Sequence, residues 1–521
     1  MYTEDEKIVL NFFFTNLDKP IFATKNFHPE VWALMQARYS RSREGLREGF
    51  LKLLQESPEN FIKLKEEIEK TKGGIEAQHA TEKAIQFMEK WVLGFGHSSV
   101  AEGAVAGISL EGVSILATKV IEDNRLCSFI EKSTRYVSFD SGSFHIDDTL
   151  KNSVFYKEIR ELIDMLFNTY MELHEPILEY VKKTAPLEEN MTEAAWKRAC
   201  AARRFDAVRY LLPACTKTSL GWTVNARQLS HGISKLLSHP LKEMNNVGMQ
   251  VKEETSKVLP SLLKYADKKD YFIKTEAQMR KLGETIHVID KDTSPVTLVS
   301  GPVPDDAENI LIASILYRYK KEPFERIMDM VKQMGMNEKE NILDSYFVHM
   351  SDHDWPLREL EHIQFMFDVV MDFGAFRDLQ RHRICTQTNQ LLTTDIGYDI
   401  PNDIKNAGCA EKYEKAMRKA KGVFDKVREK YPLHAQYLVP LGYKKRYLVT
   451  MNLRELYHFI KLRTMPLAHE SYRKIAYIFY EIMKKKYPLL SKYMVCNYSE
   501  EELGRLKSEE KTEGLDSVRP L

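Results

Sequence analysis

Arginines interleaved with hydroxyls mark two places in this chain. Between Arg125 and Tyr136 lie Ser128, Glu131, Ser133 and Arg135. Between Arg381 and Thr394 lie His382, Arg383, Thr386 and Thr388. A guanidinium stays charged and offers its donors in a fixed fork, and a hydroxyl adds a short-range hydrogen bond. Such a set suits a phosphate. The same spacing also fits a solvated charged loop. Each set follows an acidic residue and an apolar run, Glu102 opening the first and Glu361 the second. Asp123–Ser128 then lies over Arg381–Thr386.

The elements that must position these residues also come in pairs. Residues 207–240 contain Pro213, Asn225, Arg227 and Pro240; residues 435–466 contain Pro440, Asn452, Arg454 and Pro466. Proline and asparagine are twelve positions apart in both. Internal similarity of this kind decides the architecture, and it argues for duplication. Each stretch reads as a strand, a turn and a helix, with Leu229, Ile233 and Leu236 or Leu453, Leu456 and Ile460 on the apolar face. Arg227 with His231, and Arg454 with His458, project from one helical face. They fit surface neighbours as well as a site. Ile108, Val113, Ile115, Leu116 and Val120 can share a broad helical face. Tyr156, Ile159, Leu162, Ile163 and Leu166 predict a core-facing helix. Residues 1–30 read as an extended or strand-forming lead-in broken by Pro20 and Pro29. Residues 31–54 read as helical, and 56–90 as solvated helices. Glycines and prolines at 283, 295, 301, 302 and 304 suggest a connector over 276–305. The charged tail after Tyr498 reads as frayed.

Composition narrows the class. The chain has 521 residues, enough for two to four domains. A net charge of +1 implies no nucleic-acid polymer as partner. Hydrophobic content of 43% is enough for a sizeable core. The six cysteines form no CxxC pair, which argues against a zinc ribbon or disulfide framework and fits a reducing cytoplasm. The N-terminus lacks the basic start of a signal peptide. No apolar run reaches the ~20 residues of a membrane span.

The two motifs resemble the signature of the flavin-dependent thymidylate synthases, RHR-x-x-S-x-N-x-x-S-x-R-Y preceded by H-x-S-x-x-E-H. The first repeat keeps the final Arg of RHR as Arg125, both serines as Ser128 and Ser133, and Arg135-Tyr136. The second keeps Arg381-His382-Arg383 and then departs, with Leu391, Thr393 and Thr394 at the later positions. The resemblance implies FAD as cofactor, dUMP as substrate, and methylenetetrahydrofolate and NADPH as co-substrates. It implies catalytic roles for His97 and Arg463. Ser40, Ser99, Glu102, Asn225, Arg227, Arg381, His382, Arg383, Asn452 and Arg454 fall at flavin-side positions. Glu131, Ser133, Arg135, Arg209 and Arg463 fall at nucleotide positions. No metal is implied.

The losses are complementary. The first repeat has Leu236 where the second has Arg463. The second has Gln436 opposite Arg209 and Pro356 opposite His97. Family enzymes are homotetramers with sites between subunits. One composite site from two unlike halves is therefore expected, in a homodimer equivalent to a tetramer of domains. The family's glutamine is Val120 in one repeat and Asp378 in the other; its motif Asn is Ile130 and Thr388. A pyrimidine-nucleotide hydroxymethylase or a non-catalytic flavin- or nucleotide-binding protein are the alternatives. The expected fold is α+β, with two related domains, each a mixed sheet flanked by helices. The expected boundaries are 1–275 and 306–500, joined by 276–305 and followed by a charged tail over 501–521.

Overall fold

A computed structural model describes residues 2–39, 42–56, 58–70, 100–189, 191–286, 294–351, 353–498 and 503–510. Four helices open the chain: α1 (Glu4–Phe13), α2 (Pro29–Tyr39), α3 (Leu46–Gln55) and α4 (Pro58–Lys70). The extended lead-in expected over 1–30 is thus a helix over its first half. Thr3 and Glu6 form a reciprocal capping box there, which satisfies the first free N–H groups of α1. Phe13, Phe14, Phe27 and Phe50 meet behind it, with Phe13 and Phe50 ring centres 5.0 Å apart.

The first repeat continues as β1 (Val105–Ser114), α5 (Ile115–Ile121), β2 (Cys127–Glu131), α6 (Tyr156–Thr184), α7 (Glu193–Val208), β3 (Lys217–Asn225), α8 (Ala226–Leu237), α9 (Lys242–Ser256) and α10 (Asp270–Thr285). The second repeat adds β4 (Val296–Ser300), α11 (Pro304–Tyr317), α12 (Phe324–Gln333) and α13 (Met336–Phe347). It then follows the same plan: β5 (Gln364–Asp372), α14 (Phe373–Leu379), β6 (Thr386–Asn389), α15 (Ala410–Lys430), β7 (Lys444–Asn452), α16 (Leu453–Arg463) and α17 (Glu470–Lys486). The helical face expected from Ile108 to Val120 is therefore split. Residues up to Ser114 are strand, with Gly112 at φ +71°, and only the rest is helix. Ser114 makes the switch, because its hydroxyl caps α5 by accepting from Ala117 N. Asp372 does the same for α14. Residues 270–285 and 296–300 carry regular structure, and β4 joins a sheet.

The sheets run in the orders β1-β3-β2 and β4-β5-β7-β6. The α+β class and the paired domains are as expected. The second sheet is not mixed, however, since each of its three pairings is antiparallel. β5 and β6 run the same way, but β7 lies between them and opposes both. Among the described residues no helix is long and apolar enough to cross a membrane.

The chain forms two compact units that do not follow its linear order. The first holds Met1–Glu111, Leu126–Glu131 and Ser219–His287; the second holds Gly112–Arg125, Lys132–Thr218 and Val288–Leu521. In the first, β2 pairs with β3 from Cys127 opposite Val224 to Glu131 opposite Leu220. In the second, α6 and α7 of the first repeat join the core of the second repeat. Main-chain bonds at the two Pro motifs relate these parts by an approximate twofold. Ala214 N donates to Val439 O and Leu441 N to Leu212 O, both at 2.9 Å. Cys215 N donates to Tyr437 O and Gly442 N to Tyr210 O, also at 2.9 Å. Helices α6 and α15 repeat the relation, through Glu158–Lys426 at 2.7 Å and Glu172–Lys412 at 2.9 Å.

Candidate functional site: an arginine cluster in the second unit

Helix α7 ends at Val208, and its last turn carries Asp206 beside Arg209. Arg135 donates to the Asp206 carboxylate from Nε at 2.7 Å and from Nη2 at 2.9 Å. This is the bidentate fork that a planar guanidinium favours. Its Nη1 donates to the Tyr472 hydroxyl at 3.1 Å, and Ser133 Oγ accepts from Arg135 N. Burial works against the charge on Arg135, but Asp206, Tyr472 and Asp378 outweigh it and raise its pKa. The Arg463 guanidinium lies over the same Tyr472 ring, 5.4 Å from its centre. Tyr472 thus links an arginine of the first repeat to one of the second.

Arg463 is the last residue of α16, where a cation also favours the helix dipole. It donates from Nη2 to Asp378 O at 2.7 Å and from Nε to His382 Nε2 at 2.9 Å. That second bond assigns the tautomer. His382 Nε2 accepts, so its proton is on Nδ1, which donates to Glu455 Oε1 at 2.6 Å. Burial, with Arg463 adding to it, holds the His382 pKa well below the ordinary histidine value. Burial opposes ionisation of Asp378, yet Arg135, Arg209, Arg381 and Arg463 together draw its pKa below the usual value. His469 caps α17 through Nδ1, which accepts from Ser471 N, so its Nε2 carries the proton and faces Asp206 O at 3.3 Å.

Arg209 differs from Arg135 and Arg463. It is 2% exposed, and its Nε and Nη2 have no hydrogen-bond partner. A buried charged donor left unsatisfied is costly, so the arrangement suits an anion that completes it. At the equivalent place in the second repeat, Gln436 is satisfied within the protein by Leu392 N and Leu433 O. Arg381 and Arg383 are exposed.

The flavin-side residues form two matching pairs. In the first unit Arg227 Nη1 meets Glu102 Oε1 at 2.5 Å, both side chains about half exposed. In the second unit Arg454 Nη1 meets Glu361 Oε1 at 2.8 Å, and its Nε donates to Pro356 O at 2.6 Å. Asn225 and Asn452 are N-caps, accepting from Gln228 N and Glu455 N. Glu131 lies buried at the end of β2 in the first unit. Ser40, His97 and Ser99 lie outside the described residues. Sequence reasoning missed Asp206, His469 and Tyr472 as members of the cluster. Asp206 stands three positions before Arg209 on a helical face, a usable signal. Nothing in sequence marks Tyr472.

Comparisons with known proteins agree with this plan. The thymidylate synthase complementing protein family matches the chain twice, over residues 37–261 and 299–489. A UPF0159 protein of Chlamydia muridarum is 34% identical over 530 residues, covering 98% of each chain. A UPF0159 protein of Thermoplasma acidophilum is 28% identical over 81% of this chain and 91% of its own. A flavin-dependent thymidylate synthase of Clostridium tetani is 25% identical over 37% of this chain and 76% of its own. The chain belongs to the thymidylate synthase complementing protein family, that of the flavin-dependent thymidylate synthases, and carries the family domain twice.

Proposed function

We propose that the protein is a flavin-dependent thymidylate synthase that reductively methylates dUMP to dTMP, with methylenetetrahydrofolate and NADPH as co-substrates. The observation that carries this is the arginine cluster. Arg135 and Arg209 of one repeat meet Arg463 and His382 of the other inside one compact unit, and Arg209 has two unclaimed donor atoms. Arg209 takes the nucleotide phosphate. Arg135, spent on Asp206 and Tyr472, adds its positive charge to the cluster, with Ser133 fixing its main chain. Arg463 stabilises negative charge on the pyrimidine ring as C5 becomes nucleophilic. Its bond to neutral His382 fixes the guanidinium for that task.

FAD, when bound, supplies the reducing equivalents. The half-exposed Arg227 of the first unit, with Glu102 and Asn225, fits its polar groups, and Ser40, His97 and Ser99 belong to the same reading, while Glu131 belongs to the nucleotide side. The exposed Arg381 and Arg383 are further donors. Arg454 is held by Pro356 O as well as Glu361 and is less exposed than Arg227, so the second repeat supports a structural role for Arg454, while Asn225 and Asn452 are N-caps in both repeats. A homodimer would reproduce a tetramer of domains, and six free cysteines accord with a cytoplasmic setting.

Asp378, where the family has glutamine, favours a pyrimidine-nucleotide hydroxymethylase as the second reading. Tritium release from 5-labelled dUMP, dependent on FAD, methylenetetrahydrofolate and NADPH, tests both. Formation of dTMP is the expected product. A hydroxymethylated nucleotide would favour the second reading, and absence of release with any folate would reject catalysis on this ring.

A further inference from the structure

The last described segment, residues 503–510, docks on the arginine cluster instead of fraying. Arg505 is buried and donates from Nη2 to Asp206 Oδ2 at 2.9 Å and from Nε to Leu467 O at 3.3 Å. Its guanidinium lies 5.1 Å from the Tyr136 ring centre. Four residues later Glu509, also buried, accepts from Arg198 Nε at 3.1 Å, and Arg198 Nη2 donates to its main-chain oxygen at 3.2 Å. Arg198 and Asp206 both belong to α7. The segment is therefore fastened at two points to the helix that presents the cluster.

We infer that Arg505 is a positioning residue for the anion site, acting through Asp206. The inference rests on the nucleotide reading given above. Asp206 Oδ1 takes Arg135 Nε, and Oδ2 takes both Arg135 Nη2 and Arg505 Nη2. Three N–H groups occupy the carboxylate. Arg209 follows Asp206 by three positions and so lies on the same helical side. It keeps Nε and Nη2 unclaimed. Without Arg505, Asp206 regains an acceptor site, and Arg209 is the nearby buried donor short of a partner. The guanidinium meant for the phosphate is then drawn onto the carboxylate. Arg505 thus keeps the ligand-binding arginine free, which is how supporting contacts hold a site ready.

The test titrates dUMP, and separately inorganic phosphate, into the full-length protein by calorimetry. Arg505→Ala is expected to weaken dUMP binding about tenfold, the size of one charge-assisted hydrogen bond. FAD binding and the melting temperature are expected to stay near wild type. Arg505→Lys restores part of the affinity. Because Arg505 acts through Asp206, Arg505→Ala added to Asp206→Asn costs little beyond Asp206→Asn alone. Wild-type affinity in Arg505→Ala, or full additivity in the double variant, overturns the positioning role while leaving the nucleotide reading in place. Wild-type protein that binds neither dUMP nor phosphate overturns that reading and this inference with it.

Discussion

Arg209 and Asp206 stand three positions apart, yet their side chains are in opposite situations. Asp206 accepts from two arginines, and Arg209 is buried with two donor atoms unmet. Buried donors left without hydrogen bonds cost stability, so a residue kept this way serves something other than stability alone. Arg209→Met removes a cation that lowers the pKa of the buried Asp206, Asp372 and Asp378, and is expected to lower the melting temperature only modestly, because two of its donors are already unmet. The same change should weaken dUMP binding by about 1.5–3 kcal/mol, as measured by calorimetry. His382 and His469 set a pH dependence. Burial holds both pKa values well below the ordinary 6.5, with nearby arginines adding to it. The unfolded chain binds more protons than the folded one below that value. Their stabilising contribution is therefore complete above the ordinary histidine pKa and is lost as pH falls toward the folded values. Urea midpoints measured across this range should fall with pH below about 6.5. The partly buried His174, His239 and His458, also shifted down by burial, act in the same direction, and the raised carboxylates Asp206, Asp372 and Glu455 oppose them, so the part owed to His382 is read from how much the profile flattens in His382→Gln.

At the scale of elements, the amphipathic helices were legible. Leu229, Ile233 and Leu236, and Leu453, Leu456 and Ile460, are buried as their spacing predicts. The same holds for Ile159, Leu162, Ile163 and Leu166 of α6. The run from Ile108 to Val120 was misread because one apolar stretch serves first a strand and then a helix. Its periodicity does not show where the change falls; the Ser114 cap does. Residues 503–510 of the tail depart from the frayed expectation for another reason; residues 511–521 lie outside the described residues. Charge suggests solvent, but Arg505 and Glu509 find buried partners distant in sequence. The twofold bridge at the Pro motifs carries its own prediction. A Cβ on Gly442 would stand 2.5 Å from the Tyr413 hydroxyl, 3.1 Å from Tyr210 Cβ and 3.2 Å from Met417 Cε. Tyr413 is fully buried and has little room to move. Gly442→Ala should destabilise the protein by about 1–3 kcal/mol, the usual cost of overpacking, in urea denaturation.

At the scale of the whole molecule, Arg135 and Arg463 reach the same Tyr472 within one chain. Arg463→Ala should reduce turnover about 100-fold or more, the loss typical of a charge-stabilising donor, and Arg135→Ala should also inactivate, because it strips two donors from the buried Asp206 carboxylate. Mixing the two inactive variants then tests where the site is built. With both arginines supplied by one chain, every cluster in the mixture carries one lesion, and activity stays absent even when subunit exchange is shown by mass. Restored activity would mean that the working site borrows one arginine from a second copy.

Sequence alone determined the duplication, the family and the complementary losses, because these are properties of residue identity and spacing. Pro213 with Asn225 and Arg227, set against Pro440 with Asn452 and Arg454, carried that reading without any coordinates. It also supplied Arg135, Arg209, Arg463 and His382 as candidates. Only the tertiary structure decided how those residues divide their donors. Arg135 is spent on Asp206, Arg463 is tied to a neutral His382, Arg454 is tied to Glu361, and Arg209 is left open. A motif specifies which groups are available. Which of them remain unpaired depends on partners such as Tyr472 and Arg505, separated from Arg135 by more than three hundred residues and brought near by packing that no local pattern encodes.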